Sequence, residues 1–131
     1  MALAVAMIDE IFIHEWIKYQ EDLSKDGDED LHWTEDHLMD LMLQGEYSEL
    51  WDFIMKVYRK EPSKKVLAIL AAGELEDILV AKGDEYIARV ELLAANDQRF
   101  KNLLGGVWKN AMSDEVWQKV SDASNKEFFD S

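Results

Sequence analysis

Apolar residues recur every three or four positions along most of the chain, which is the spacing of amphipathic α-helices. Over residues 3–23 the apolar stripe consists of Val5, Ile8, Phe12, Trp16, Tyr19 and Leu23. A second helix is predicted up to Leu43, with Thr34 as its N-cap and Gly45 just beyond its end. A third is predicted over residues 47–60, because Pro62 cannot continue a helix.

Shorter helical patterns follow in the second half of the chain. Their predicted caps and stops are Ser63, Gly73, Gly83, Asp84, Gly105, Gly106 and Ser113. The pattern after Ser63 predicts two short helices or one helix broken at Gly73, and Gly83 is predicted to end it. No segment alternates apolar and polar residues convincingly over five positions. The sequence therefore predicts an all-α fold, as an irregular bundle or a HEAT-like stack of about six to eight short helices.

The length of 131 residues fits one domain, predicted over residues 1–122, with a frayed tail over 123–131 unless Phe128 and Phe129 fold back. The start, MALAVAMIDEIF, lacks the basic residues of a signal peptide and is expected to begin a helix. No apolar run approaches the roughly 18 residues of a membrane span. The chain has no cysteine, which suits a reducing compartment. A globular cytoplasmic protein is expected.

Charge is the strongest global signal, with 28 acidic against 14 basic residues and a formal net charge of -14. Nine acidic residues and one basic residue lie between positions 21 and 40, whereas five basic residues and one acidic residue lie between 56 and 65. Such an acidic surface repels nucleic acids and anionic membranes and steers basic proteins toward it. The predicted partner-binding residues are Asp26, Asp28, Glu29, Asp30, Trp33, Glu35, Asp36 and Asp40.

The five tryptophans have different predicted roles. Trp16 and Trp51 lie on apolar helical stripes and are expected in the core. Trp33 stands among carboxylates, where it is either a hydrophobic staple for the following helix or an exposed anchor at a binding surface. Trp108 and Trp117 are expected to hold the C-terminal helix against the rest of the protein.

The acidic segment resembles a metal site only in part. The spacing Asp26-x-Asp28-x-Asp30 matches three calcium-ligand positions of an EF-hand, but Leu31 replaces the turn glycine and His37 replaces the terminal bidentate glutamate. His32 and His37 are five residues apart, whereas a helical zinc pair is spaced by three or four. No metal site is therefore predicted, and a metal-dependent enzyme using the two histidines and nearby carboxylates is kept as the alternative.

Catalytic motifs are absent from the sequence. Glu74 and Asp77 fall on one helical face, but carboxylates in a first helical turn usually interact with the helix dipole. No glycine-rich phosphate loop, serine elbow or cysteine nucleophile is present. We therefore expect neither enzymatic activity nor a cofactor.

The C-terminal two-thirds carry a set of distinctive marks. They are Gly73, Leu75-Glu76-Asp77, Gly83, Phe100, Leu104-Gly105-Gly106-Val107-Trp108 and Val116-Trp117. Over residues 45–121 the sequence resembles a family of small, helical, tryptophan-rich bacterial domains of unknown function. Proline often stands in that family where this chain has Glu74, and again near Ser113, which alters helix starts rather than chemistry. The resemblance implies the fold and no activity. The acidic segment 21–40 lies outside it, as a variable partner-specific surface would.

Together these features predict a protein-binding inhibitor with a basic partner, and they favour an immunity protein that neutralises a bacterial toxin by direct binding. A nucleic-acid mimic that blocks a nuclease or a CRISPR effector is a close variant. Neither direct nucleic-acid binding nor membrane association is expected, and the chain is expected to be a monomer or a dimer.

Overall fold

The structure, a computed structural model, describes residues 8–22 and 32–130. These residues form helices, turns and connecting segments without any strand, which confirms the predicted all-α fold in the form of an irregular bundle. The chain divides into two compact units, residues 1–66 and 67–131. The single domain over residues 1–122 stays a prediction, because two compact units can belong to one domain or to two.

The described part of the first unit contains three complete helices. They are α1 (Glu10–Glu21), α2 (Trp33–Leu43) and α3 (Tyr47–Arg59), and each packs against the other two. The core of this unit is formed by Phe12, Ile13, Trp16, Leu38, Leu41, Leu50, Trp51, Phe53, Ile54, Val57 and Tyr58. Trp16 and Trp51 are both buried, as their positions on apolar stripes predicted.

In the first unit, the observed starts of α1 and α2 differ from the predicted ones. Helix α1 begins at Glu10, because Asp9 caps it by accepting from the Phe12 N–H at 3.0 Å. Val5 and Leu23 of the predicted stripe lie outside the described residues. Helix α2 begins at Trp33 with His32 as its N-cap. The predicted cap, Thr34, is wholly buried inside the first turn. The stop at Gly45 is confirmed by its positive φ of 75°, which glycine adopts without strain.

Most of the remaining chain is one long helical run followed by two shorter helices. The run comprises α4 (Lys64–Leu70), a π-helical turn (Ala71–Leu75) and α5 (Glu76–Asn96), and the boundary between the units falls within α4. Helices α6 (Gln98–Leu104) and α7 (Asp114–Ala123) pack against α5 and against each other. Ser63 and Ser113 cap α4 and α7 by accepting from the N–H groups of Val66 and Val116, as predicted.

Gly73 does not break the helical run, whereas the interruption predicted at Gly83 is present one residue earlier. Gly73 lies inside the π-helical turn, and the run continues through it. Lys82 has non-helical backbone angles, φ -136° and ψ 37°, which kink α5 and divide it into two helical parts. Gly83 also permits close packing, because a Cβ there would lie 2.9 Å from Cγ2 of Val116 on α7.

The C-terminal segment folds back onto α6. The Asn125 N–H donates to the Lys101 carbonyl at 3.0 Å, and the ring of Phe129 lies against Gly106. A short 3-10 helix, Phe128–Asp130, ends the described chain. Of the two possibilities for the tail, residues 124–130 adopt the one in which the phenylalanine pair folds back.

Across the described ranges, every helix is too short or too polar to cross a lipid bilayer.

Candidate functional site

Trp33 is the first residue of α2 and lies against the first turn of α1. Its ring meets the ring of Phe12 edge to face, with the centroids 5.4 Å apart. Phe12 is wholly buried and also contacts Phe53 in the core at 5.9 Å. The other side of the indole remains open, so that Trp33 is 47% exposed. The indole is therefore held in place by the core of the first unit and still offers an aromatic surface to solvent.

His32 extends the aromatic surface next to Trp33. Its ring stacks on Tyr19 of α1 with the centroids 4.3 Å apart, and it lies 5.8 Å from the Trp33 ring. The Nδ1 atom of His32 lies 2.7 Å from the Thr34 hydroxyl and accepts from the Thr34 N–H at 3.4 Å. The capping bond therefore fixes the imidazole. Beside it runs a shallow groove lined by Glu15, Lys18, Tyr19, Glu21, Asp22 and His32.

Helix α2 turns a mixed apolar and acidic face to solvent. This outward face consists of Trp33, Asp36, Met39, Asp40 and Leu43, all of them exposed. The spacing by three and four residues places these side chains on one side of the helix. The opposite side is formed by the buried residues Thr34, Leu38 and Leu41. Helix α2 therefore packs into the core along one side and presents apolar groups with two carboxylates along the other.

The predicted partner-binding residues fall into three groups. Trp33, Asp36 and Asp40 share the outward face of α2. Glu35 points elsewhere: its Oε1 accepts from the side-chain amide of the buried Gln20, which ties α2 to α1. The other four, Asp26, Asp28, Glu29 and Asp30, lie outside the described residues. Met39 and Leu43 were missed, although their spacing from Trp33 and Asp36 would have revealed them once α2 was placed.

The two histidines of the alternative enzyme hypothesis are in different surroundings. His32 is engaged by Thr34 and Tyr19, as described above. The His37 ring lies 5.6 Å from the Phe12 ring, and its buried Nε2 has no hydrogen-bond partner among the described residues. Among residues 8–22 and 32–130, no three histidine or carboxylate side chains are grouped so that they could hold a metal ion. The described geometry therefore gives the metal-enzyme hypothesis no support.

The second unit contains a buried carboxylate that the sequence did not reveal. Glu76 is only 6% exposed, and its two oxygens bind the loop between α6 and α7. Oε1 accepts from the Trp108 N–H at 2.9 Å, and Oε2 accepts from the Asn110 side-chain amide at 3.1 Å. In the sequence, Glu76 stands out only as part of the Leu75-Glu76-Asp77 mark. No local pattern could have shown that a loop 32 residues away needs this carboxylate.

Trp108 is 72% exposed, so the prediction that it holds the C-terminal helix in place is wrong. Helix α7 instead packs on α5 through the buried Val116, which faces Gly83. The Trp108 N–H is bound by Glu76, while the indole remains in solvent.

Asp77, the neighbour of Glu76, is expected to make the stability of the protein depend on pH. Burial and then the neighbouring Glu76 carboxylate raise the pKa of Asp77 above its ordinary value of 3.8. Ionisation of Asp77 therefore opposes folding. This penalty is absent below pH 3.8 and develops as the pH rises through the raised pKa. We expect Asp77→Asn to increase the free energy of unfolding at about pH 7, and the gain to disappear at about pH 3. Urea unfolding at both pH values measures it.

Asp114 supplies a control, because its pKa is shifted in the direction opposite to that of Asp77. A hydrogen bond from Lys109, together with its positive charge, lowers the pKa of Asp114. The charged form of Asp114 therefore favours folding above pH 3.8, and this contribution is lost as the pH falls through the lowered pKa. Asp114→Asn should therefore decrease stability near neutral pH. If both variants shift stability in the same direction, the assignment for Asp77 is wrong.

The fold and the site define a small all-α protein with an acidic, partly aromatic surface on its first unit. The chain belongs to DUF6869, a family of unknown function, whose sequence model matches residues 21–128. The match confirms the resemblance and extends it in both directions. It also includes the acidic segment 21–40, so the expectation that this segment lies outside the family is wrong. No curated protein and no solved structure matches the chain.

Proposed function

We propose that this chain is an acidic inhibitor that binds a basic protein, and that it serves as an immunity protein against a bacterial toxin. The observation that carries the proposal is the outward face of α2. Trp33 is fixed there by Phe12 and half-exposed, with Met39 and Leu43 farther along the same face. Large exposed apolar side chains gathered on one helix face are typical of protein-binding surfaces, in which tryptophan is often the dominant contact.

Charge indicates the chemistry of the partner. Asp36 and Asp40 stand between the apolar residues of the outward face, and the net charge of the chain is -14. A basic surface is attracted to such a face over several ångströms, which speeds the first encounter. Toxins that act on nucleic acids are basic because they bind phosphates. A nuclease-type toxin, or another nucleic-acid-binding effector such as a CRISPR nuclease, therefore fits the charge of this surface.

The rigid placement of Trp33 supports a role in holding a partner. A side chain that is already ordered by the Phe12 contact loses little conformational freedom when a second surface covers it. In this proposal the carboxylates steer the encounter, and the indole slows dissociation. The cytoplasm is the proposed location, because a toxin inhibitor made there meets its target before the host is harmed.

The proposal is tested first by identifying a partner and then by replacing Trp33, the residue proposed to anchor it. The tagged chain is purified from cells that encode it, and each co-purifying basic protein is expressed alone and together with the chain. We expect one of them to stop growth alone and growth to return when the chain is present. A partner with an acidic or neutral surface, or a failure to restore growth, contradicts the proposal.

With that partner in hand, we expect Trp33→Ala to shorten the lifetime of the complex. Loss of a central tryptophan costs about 2 kcal/mol or more, which corresponds to roughly 30-fold faster dissociation. The control is Leu92→Ala, which removes an exposed apolar side chain from α5 and should leave the lifetime unchanged. A thermal melt of the Trp33→Ala protein separates loss of binding from loss of folding. An unchanged dissociation rate contradicts the anchor role.

A further inference from the structure

The loop over residues 105–113 presents an exposed tryptophan on a firmly held backbone. Trp108 is 72% exposed, whereas Val107 and Met112 on either side of it are buried. The Met112 N–H donates to the Lys109 carbonyl at 2.9 Å, which closes a turn between them. Lys109 also forms an ion pair with Asp114 at the start of α7. The loop is therefore ordered along its length, while its largest side chain remains in solvent.

Glu76 is the residue that sets the position of Trp108. A carboxylate that is 6% exposed requires hydrogen bonds to offset its lost hydration, and Glu76 takes both of the described ones from this loop. Its bond to the Trp108 N–H fixes the backbone from which the indole projects. The loop and the buried carboxylate therefore stabilise each other.

Asn110 carries backbone strain at the same place. Its φ of 45° lies in the left-handed region, which costs a residue other than glycine some energy. The bond from the Asn110 amide to Glu76 holds that conformation in place. Strain of this kind is concentrated at binding sites, where it fixes a shape that is used in recognition.

We propose that loop 105–113 is a recognition loop in which Glu76 positions Trp108 to contact an arginine or lysine side chain of a protein partner. An indole face is the strongest aromatic binder of cations. Carboxylates lie close to the loop: Glu76 binds it from beneath, and the exposed Glu115 follows it, while Asp114 is paired with Lys109. A second copy of the chain is a poor occupant, because two molecules with a net charge of -14 repel each other. The inference rests on the proposed function for the basic character of the partner.

The test observes each tryptophan separately. The protein is labelled with fluorotryptophan, which gives one fluorine NMR signal for each of its five tryptophans. Signals are assigned by replacing each tryptophan with phenylalanine in turn. The probe is a capped peptide of alternating arginine and glycine, and the matched control replaces each arginine with citrulline, which has the same shape and no charge. The buried Trp16 serves as an internal reference.

We expect the Trp108 signal to shift saturably with the arginine peptide and to require roughly two- to five-fold more of the citrulline peptide, as the strength of an exposed cation–π contact implies. Glu76→Ala and Asn110→Gly should weaken the Trp108 response, whereas Glu76→Gln should retain most of it, because Gln can still accept from the Trp108 N–H. If Glu76→Ala does not fold, the response of Asn110→Gly tests the inference. Glycine can keep the positive φ at this position, so this variant loses only the side-chain hydrogen bond to Glu76.

Other outcomes overturn the inference in distinguishable ways. An unmoved Trp108 signal, or an equal response to both peptides, excludes the recognition loop. If the Trp33 signal then shifts, the proposed function retains its surface while the loop inference fails. If Trp108 responds and Trp33 does not, the loop inference stands and the outward face of α2 loses its support. A Trp108 signal that shifts with protein concentration alone identifies a second copy as the occupant and contradicts the inference.

Discussion

Gly105→Ala is expected to destabilise the protein by about 3 kcal/mol, near the upper end of the cost of overpacking a tight site. A Cβ on Gly105 would lie 2.1 Å from the Asn125 carbonyl oxygen and 3.0 Å from its carbon. Both are backbone atoms, so no side chain can rotate to make room. The φ of Gly105 is -61°, which alanine adopts without strain. Glycine is therefore required at this position only because a Cβ has no space.

The segment that Gly105→Ala would displace is held at several points. The Asn125 N–H donates to Lys101, and its side-chain amide donates to Asn102 at 2.9 Å. We therefore expect a melting temperature lowered by roughly 10 °C, and cleavage by protease within residues 124–130. A lower melting temperature without cleavage indicates that the strain is kept in the fold. Cleavage within residues 124–130 indicates that the strain is relieved by release of this segment.

Gly73→Ala is the matched control for Gly105→Ala. A Cβ on Gly73 would meet nothing within 4 Å, and the residue lies in helical surroundings. Alanine should therefore stabilise this position by about 0.5–1 kcal/mol, because it favours helical backbone more than glycine does. If Gly105→Ala melts at the wild-type temperature, the packing of residues 124–130 against α6 is wrong.

Phe12→Ala is expected to reduce the free energy of unfolding by about 3–5 kcal/mol. Phe12 is wholly buried and contacts three aromatic rings, those of Trp33, His37 and Phe53. Its removal leaves a cavity in the first unit and also takes away the surface against which Trp33 is held. Chemical denaturation measures the loss, and we expect a complex of this variant with the partner to dissociate faster as well.

Ile11→Ala is the control for Phe12→Ala, since Ile11 is the preceding residue on α1 and is 69% exposed. Truncation of such a surface side chain changes stability by no more than about 0.5 kcal/mol. Equal losses for the two variants would show that the two faces of α1 are assigned incorrectly.

Local signals in the sequence predicted those parts of the fold that depend on local chemistry. Ser63, Ser113 and Gly45 cap or end helices as expected, because a hydroxyl acceptor or a positive φ acts within one turn of the chain. The stop predicted at Gly83 corresponds to the kink at Lys82, one residue earlier. The sequence did not reveal that Gly83 also faces Val116 across a helix contact, because that role is tertiary.

The candidate site was predictable to a similar extent. The acidic composition and the position of Trp33 were the signals for the candidate region, and the structure adds that Asp36 and Asp40 share one face of α2 with Trp33. Glu35 could not be distinguished from them, because its role depends on Gln20 of another helix. The Glu76 carboxylate and the exposure of Trp108 depend on a contact between distant parts of the chain, which periodicity and composition do not encode.

The central claim is that the acidic outward face of α2 steers a basic partner, and the association rate measured at increasing salt concentration tests it most directly. Two double variants remove the same charge: Asp36→Asn with Asp40→Asn on α2, and Asp84→Asn with Glu85→Gln at exposed positions of α5. Electrostatic steering is screened over about 8 Å at physiological ionic strength and over about 3 Å at 1 M salt.

We predict that the α2 pair lowers the association rate several-fold at low salt and flattens its salt dependence, while the α5 pair has a much smaller effect. The rates of all three proteins should converge at high salt. Equal effects of the two pairs would show that only the total charge matters, and an unchanged rate for the α2 pair would show that this face does not meet the partner. Either result contradicts the account.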